Sequence, residues 1–516
     1  MLRDLTRNSP PPDGLDADVA VVGAGVAGLL LACKLAARGT SCVVLESGGR
    51  EAVEDDPIYG DVDILRHTYV GATRGRRRGL GGTSVKWAGS LLPLRADDFA
   101  PRPDLGHPGW PIDSAALTPY LVEAERLFEL NHSQYETPLK TVTSASDFVA
   151  REAKRPRFRN RNVAILCRKE IASRDGPEIW LHASVCGFEL QEGRLRAINA
   201  QGPEGQKLEV RARETVLCAG AIESTRLLLL LDRQTGGRAI DGRAHLGLYL
   251  QDHLAMPVAR IETEAPKALN AVFGFRFDGP TLRNLRFERT IPGTAGGYVH
   301  IRPRPLAPTG FDAVRDVMRG LQRRKFDGMA VTRIPRHLPY LAQLAWWRTV
   351  RKRLLWPKPA AYDVHVVVEQ IPRADNRIIL GERPDWLGNP VTAVDWDIGL
   401  LDVTLFKELC FDFSSFWDHS GFARYGRLVW SVPPADLNRD SLEAARDIYH
   451  PVGTTRMACS ADTGVVNEEL RVFGIDNLRV ASTSVFPSAG SANPTMTLVL
   501  LTLRLADALA CTIHRT

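Results

Sequence analysis

A glycine-spaced turn, Gly23-Ala-Gly25-Val-Ala-Gly28, lies between an apolar β-run at Asp18 to Val22 and an apolar-periodic helix at Val26 to Arg38. No other feature constrains the fold as strongly. In a G-x-G-x-x-G turn the first glycine permits the tight bend, the second lets a pyrophosphate approach the backbone, and the third allows close helix–strand packing. The free N–H groups and dipole at the helix N-terminus favour an anion there. A second strand at Ser41 to Leu45 completes a β-α-β unit, and Glu46 at its end has the spacing expected of an acid that binds a ribose hydroxyl. The motif therefore predicts a dinucleotide site at Gly23, Gly25, Gly28 and Glu46. It does not separate FAD from NAD, and a glycine-rich turn without a ligand is the plain alternative.

A chain of 516 residues exceeds what one hydrophobic core supports, so two domains are expected. Strand-like runs at Val185 to Leu190, Leu195 to Ala200 and Leu208 to Leu217, separated by glycine-containing turns, predict an antiparallel meander on the nucleotide domain. The predicted division is α/β: a Rossmann-like nucleotide domain from residues 15–99, 160–255 and 446–516, and a sheet-plus-helix substrate domain from 100–159 and 256–445. A helical segment is expected near Leu117 to Leu130, strands at Val364 to Gln370 and Arg377 to Leu380, and a long apolar helix at Thr495 to Ala510.

Eight cysteines without a C-x-x-C pair read as reduced, buried thiols, and no metal site is expected. No run reaches the roughly 20 apolar residues of a membrane span, and the polar, Pro-rich stretch Met1 to Gly14 has no signal-peptide core, so the cytoplasm is the expected location. Lys and Arg exceed Asp and Glu by only 66 to 60, but 14 of them against 3 acids fall between Ile301 and Lys358. Within that stretch, residues 338–356 carry Trp346, Trp347 and Trp356 among Arg348, Arg351, Lys352 and Arg353, which suggests peripheral membrane contact. Arg351 interrupts the apolar side, so a solvated helical insertion is the favoured reading. No nucleic-acid module accompanies the charge. A hydrolase is disfavoured by the absence of a G-x-S-x-G elbow.

Several distant segments together resemble the glucose-methanol-choline (GMC) oxidoreductase family of flavoenzymes. These are Gly79-Leu-Gly81-Gly82-Thr83-Ser84-Val-Lys86-Trp87-Ala-Gly89, Val216-Leu-Cys-Ala219-Gly220-Ala221-Ile-Glu-Ser224-Thr225 and Gly247-Leu-Tyr-Leu-Gln-Asp252-His253. The closing block is the most specific: His450-Pro-Val-Gly453-Thr454-Thr-Arg-Met457, then Asn477-Leu-Arg-Val, Phe486-Pro487 and Ser491-Ala-Asn493-Pro494-Thr495-Met-Thr497. The resemblance implies FAD as cofactor, contacted by the N-terminal turn, by Gly81, Gly82, Thr83, Ser84 and Ala219, and by Ser482, Pro494 and Thr495. Lys86 stands where flavin-tethering members place a histidine in this loop, so the resemblance implies non-covalent FAD. Ser482 replaces a usual Asp and brings no charge.

The resemblance also makes His450 and Asn493 the catalytic pair. Hydride leaves a carbinol carbon readily only if the hydroxyl proton is taken, and neutral imidazole suits that task. Asn493 would present an amide N–H to the same oxygen, and the helix beginning at Pro494 would direct its positive end at the reduced flavin. Read without the resemblance, Asn493-Pro494 is better taken as a helix N-cap followed by Pro at N1. His253 beside Asp252 is assigned a structural place near the domain junction, and His182 and His365 are assigned to packing. Gly109 to Pro111, Glu369-Gln370 and the Asn-Pro pair draw the likeness toward sugar-oxidising and pyranose-oxidising branches. The expected activity is FAD-dependent oxidation of an alcohol on a small molecule such as a sugar, glycoside or polyol, with the electron acceptor open. An NAD-dependent dehydrogenase and a flavin-binding protein without turnover are the alternatives.

Overall fold

The computed structural model describes residues 1–51, 61–139, 147–307, 312 and 338–515. Its first sheet is the expected nucleotide-binding layer. Strands Glu178–Leu181, Cys42–Leu45, Leu15–Val22 and Lys207–Leu217 run parallel in that order, with Leu478–Val480 also parallel to the last of them. Val22 lies level with both Leu45 and Leu217, so the carboxyl ends of the central strands finish together. Ligands of open α/β sheets bind beyond such an edge. The meander Ser184–Gln191, Arg194–Gln201 and Lys207–Leu217 closes one side antiparallel. At the other edge Leu2–Asp4, within the polar, Pro-rich first stretch, pairs parallel with Glu178–Leu181.

Helix Val26–Ala36 buries nearly all of its residues. Against it packs the closing helix Thr495–Arg515. Residues Thr495–His514 of that helix, at mean hydropathy 1.7, are long and apolar enough to cross a membrane, which corrects the expectation that no run is. Most of this stretch is buried inside the protein, and its apolarity is the consequence of packing on two sides.

A second, antiparallel sheet runs in the order Arg276–Asp278, Thr281–Arg289, Gly297–Pro305, Ala360–Glu369, His253–Glu262 and Arg427–Trp430, and Phe148–Arg155 pairs with Thr281–Arg289. Helix Leu400–His419 covers one face, where Phe148, Phe287, Phe413, Phe416 and Phe422 form an aromatic core. The opposite face is polar. A small third sheet joins Arg377–Pro384, Pro390–Asp395 and Val62–Ile64. The segment expected at Leu117 to Leu130 is a shorter helix, Leu121–Leu127.

The basic stretch is only partly described; residues 308–311 and 313–337 lie outside the described residues. Leu338–Trp346 is helical and continues as a wider turn over Trp347–Arg351. Trp347 and Trp356 are buried and Trp346 is exposed, so its aromatic residues are split between core and surface. Five of the eight cysteines are buried; Cys459 and Cys511 are exposed and Cys186 is intermediate, which corrects the reading of all eight as buried. His182 and His365 are both partly accessible rather than core residues.

Candidate active site

The nucleotide turn forms as its glycines require. A Cβ on Gly28 would lie 1.9 Å from the Gly23 carbonyl oxygen, so only hydrogen fits there. On Gly25 it would meet nothing nearer than 4.0 Å, so that side of the turn is open. No side chain caps the helix that follows and no acid occupies its first turn, which leaves its N–H groups available to an anion. The second glycine loop leans on the first: Gly81 N donates to the Ala24 carbonyl at 2.9 Å, and a Cβ on Gly82 would stand 2.9 Å from Gly25 Cα. These residues fit a dinucleotide pyrophosphate.

The side chains around this cradle do more structural work than the sequence suggests. Glu46 is buried and accepts N–H bonds from Ala24 (2.7 Å), Gly48 (2.9 Å) and Gly79 (2.8 Å), pinning both glycine loops to the strand end. Burial pushes its carboxyl up and the three backbone donors pull it down; burial dominates. Ser84 is also buried, donating to the Gly81 carbonyl at 2.5 Å and accepting from Val163 N at 3.1 Å, whereas Thr83 is exposed. Ala219 lies against Gly23 at the N-cap of helix Gly220–Gln234. Ser482 is buried, caps the turn Thr483–Val485 through Ser484 N and bonds the Ser484 hydroxyl.

At the other end of the site, His450 and Asn493 meet. Asn493 Nδ2 stands 3.1 Å from His450 Nε2, and Asn493 Oδ1 accepts from Arg286 Nη1 at 3.0 Å. Neither amide atom bonds the helix that starts at Thr495, so the simple N-cap reading fails. Pro494 is buried and Thr495 partly so, and both open the closing helix directly behind Asn493.

Hydrogen-bond partners fix the tautomers. His253 Nε2 lies 2.9 Å from the Gly490 carbonyl, which can only accept, so that nitrogen carries the proton. Its Nδ1 is then a lone pair facing His450 Nδ1 at 3.2 Å, so His450 is protonated on Nδ1 and basic at Nε2. Asn493, whose oxygen is taken by Arg286, turns its N–H toward that same Nε2. Burial, with His253 and Arg286 close by, holds the His450 imidazole well below its ordinary value, and burial lowers His253 to about 4. The His450 ring is neutral at pH 7.

A buried frame holds this relay. Asp252 accepts from His253 N (2.7 Å), His450 N (2.7 Å), Ile448 N (3.1 Å) and the Tyr69 hydroxyl (2.6 Å). Burial and the neighbouring Asp447 carboxylate push its carboxyl up, against the pull of those donors. Asp252, His253 and His450 lie close enough to surround an ion. The carboxylate already has four donors and the two Nδ1 atoms are bonded to each other, so the cluster is a hydrogen-bond relay. Gly490 is fixed from its other side: its N–H donates to Glu369 at 2.9 Å, and Glu369 takes a bidentate pair from Arg102 at 2.7 and 2.9 Å. Despite burial, Arg102 holds Glu369 down at about 2.

His253, assigned a structural place from the sequence, directly supports the His450 ring through Nδ1. Sequence reasoning missed Arg286, Gly490 and the Arg102–Glu369 pair. Adjacency to Asp252 was a signal for His253; a lone Arg in a charge-rich strand offered none. Chemically, a basic lone pair and an amide N–H 3.1 Å apart complement a hydroxyl, whose proton goes to Nε2 while its oxygen accepts from Asn493.

Residues 372–502 match the family model for GMC oxidoreductases. The fructose dehydrogenase large subunit of Gluconobacter japonicus is 23% identical across 96% of this chain and 98% of its own length. Choline oxidase of Arthrobacter globiformis is 44% identical over a short stretch covering 12% of this chain and 11% of its own. Among solved structures, pyridoxine 4-oxidase from Mesorbium loti superposes with a TM-score of 0.55 at 17% identity, covering 97% of this chain and 99% of that one. A formate oxidase crystal structure gives 0.59 at 16% identity with the same coverage.

Proposed function

From the family-model match over residues 372–502 and the likeness to the fructose dehydrogenase large subunit along nearly the whole chain, we propose that this chain is a GMC oxidoreductase that oxidises a sugar, glycoside or polyol hydroxyl with non-covalently held FAD. The observation that carries the reading is the 3.1 Å pairing of a basic imidazole nitrogen with an amide N–H. FAD, when bound, supplies the acceptor for the hydride that leaves the carbinol carbon.

The residues do the rest. His450 Nε2 takes the hydroxyl proton, and the resulting imidazolium stabilises the oxygen as negative charge develops. Asn493 holds that oxygen without titrating, and Arg286 orients Asn493 by occupying its carbonyl. Gly23, Gly25, Gly28, Gly81, Gly82 and Thr83 would line the dinucleotide, with Glu46, Ser84 and Ser482 shaping the loops. Segments 15–99, 160–255 and 446–516 then make the cofactor half, and 100–159 with 256–445 the substrate half. The name of the fructose-oxidising relative and its full-length coverage support the sugar class.

The test is anaerobic bleaching of the purified flavoprotein by a panel of sugars, glycosides, polyols and simple alcohols, with His450→Ala alongside. The expected result is a yellow chromophore released on denaturation, bleached by at least one sugar or polyol in the parent and far more slowly in the variant. A colourless folded preparation, or unchanged bleaching in His450→Ala, would overturn it.

A further inference from the structure

The polar face of the second sheet, the one Arg286 shares with the catalytic pair, is cationic. Strand register decides which side chains share it. Arg286 pairs with Arg151, Leu282 with Arg155, Glu288 with Tyr298, and His300 with His365. Arg151, Arg155, Arg286, Tyr298, His300, Arg302 and Arg304 therefore stand on one side, and Phe287 and Val299 on the aromatic-core side.

The acids on this face are already used. Glu288 is shared between Arg151 (2.5 Å) and Arg286 (2.9 Å), Asp363 is taken by Arg304 (2.6 Å), and Glu369 by Arg102. Arg155 and Arg302 have no acidic partner among the described residues; Arg155 only lies over the Phe275 ring, 4.9 Å from its centroid. Arg286 is 2% exposed with Nη2 unbonded, and Tyr298 is stacked beneath its guanidinium at 4.2 Å. His300 is 4% exposed with neither ring nitrogen bonded, and stacks on His365. Arg155 Nε is likewise buried and unbonded. Burial, with neighbouring cations adding to it, depresses both His300 and Arg155, the latter to about 10.

Buried donors are ordinarily satisfied, and uncompensated buried cations are costly. Here unbonded donors of Arg155, Arg286 and His300, and the acid-free cations Arg155 and Arg302, lie next to the groups that hold the reacting hydroxyl, running outward from buried Arg286 to exposed Arg302. We propose that Arg155, Arg286, His300 and Arg302 bind an anionic group on the substrate, a carboxylate or phosphate, so that the preferred substrate is an acidic sugar or hydroxy compound. This rests on the alcohol-oxidation reading above and narrows it. Guanidinium forks suit both oxyanions, and neutral His300 adds one N–H.

The test uses the holoprotein with a matched trio, glucose, glucuronate and glucose 6-phosphate, in parent, Arg155→Met and Arg302→Met. Binding is read from perturbation of the flavin spectrum and reduction from anaerobic bleaching. One charged member is expected to bind at least about tenfold tighter than glucose, the preference falling toward unity in the variants while the response to glucose is kept. Which charged member wins distinguishes carboxylate from phosphate. Glucose binding as tightly as both, or a preference untouched in both variants, would overturn the proposal and leave alcohol oxidation standing. If nothing in the trio bleaches the flavin, inorganic phosphate and acetate serve as probes. Arg155-dependent perturbation by either supports the anion site; none overturns it. A change in flavin reduction potential in Arg155→Met without a change in anion binding would assign the cluster to the cofactor and also overturn it.

Discussion

The Nδ1 atoms of His253 and His450 face each other at 3.2 Å, and because His253 spends its proton on the Gly490 carbonyl, His450 is left basic at the nitrogen beside Asn493. One ring sets the tautomer of the other. His253→Phe keeps the volume roughly and removes the acceptor, so His450 loses its fixed tautomer. The expected loss in kcat is about 10- to 100-fold, by analogy with removal of the hydrogen-bond partner behind a metal-bound histidine, with flavin content unchanged. Stopped-flow flavin reduction measures it directly.

Asn493→Ala removes the hydroxyl's N–H donor and should slow reduction by about 10- to 100-fold. Asn493→Asp makes a sharper prediction. A carboxylate beside His450 raises its depressed pKa, so the acidic limb of kcat/KM moves to higher pH, by about one unit or more. In the parent that limb lies well below 6.5, since the neutral ring is the active form. A limb that stays in place in the Asp variant would mean His450 is not the titrating base.

Arg102→Met strands Glu369 as a buried, uncompensated charge. Breaking such a pair costs about 3–5 kcal/mol, and because Glu369 also holds Gly490, the relay should loosen too. Differential scanning fluorimetry should show a lowered Tm, with slower flavin reduction in the fraction still folded.

His253 and His107 are buried and held at about 4, below the 6.5 of the unfolded chain. Between those values the unfolded chain binds protons that the folded chain refuses. Their contribution is therefore complete above pH 6.5 and is lost as pH falls toward 4. From pH 7.5 to 5.5 each should remove about 1.4 kcal/mol. Urea midpoints across that window check it: replacing His107 by Gln should flatten the fall, and an unchanged slope would contradict the assignment.

Gly28→Ala places a methyl group against the Gly23 carbonyl, where a Cβ would sit at 1.9 Å. The turn must open, so the protein should be recovered without flavin or not at all. Gly25→Ala meets no protein atom and should fold, with weakened flavin retention measured by dialysis.

The nucleotide turn was legible because its logic is local: Gly23, Gly25 and Gly28 state backbone geometry within six residues, and hydrophobic period marks the strand and helix on either side. His450 and Asn493 were legible as a pair only through the order of distant motifs that resemble a family, since 43 positions of chain separate them. What tertiary structure alone decided is which groups surround that pair. Arg286 reaches Asn493 across 207 positions, and Glu369 reaches Gly490 across 121. Those contacts arise from the register of one antiparallel sheet and from its placement over the closing loop. Residue type along the chain encodes local conformation and burial, whereas a buried charge acquires its role only from the partner that packing brings to it.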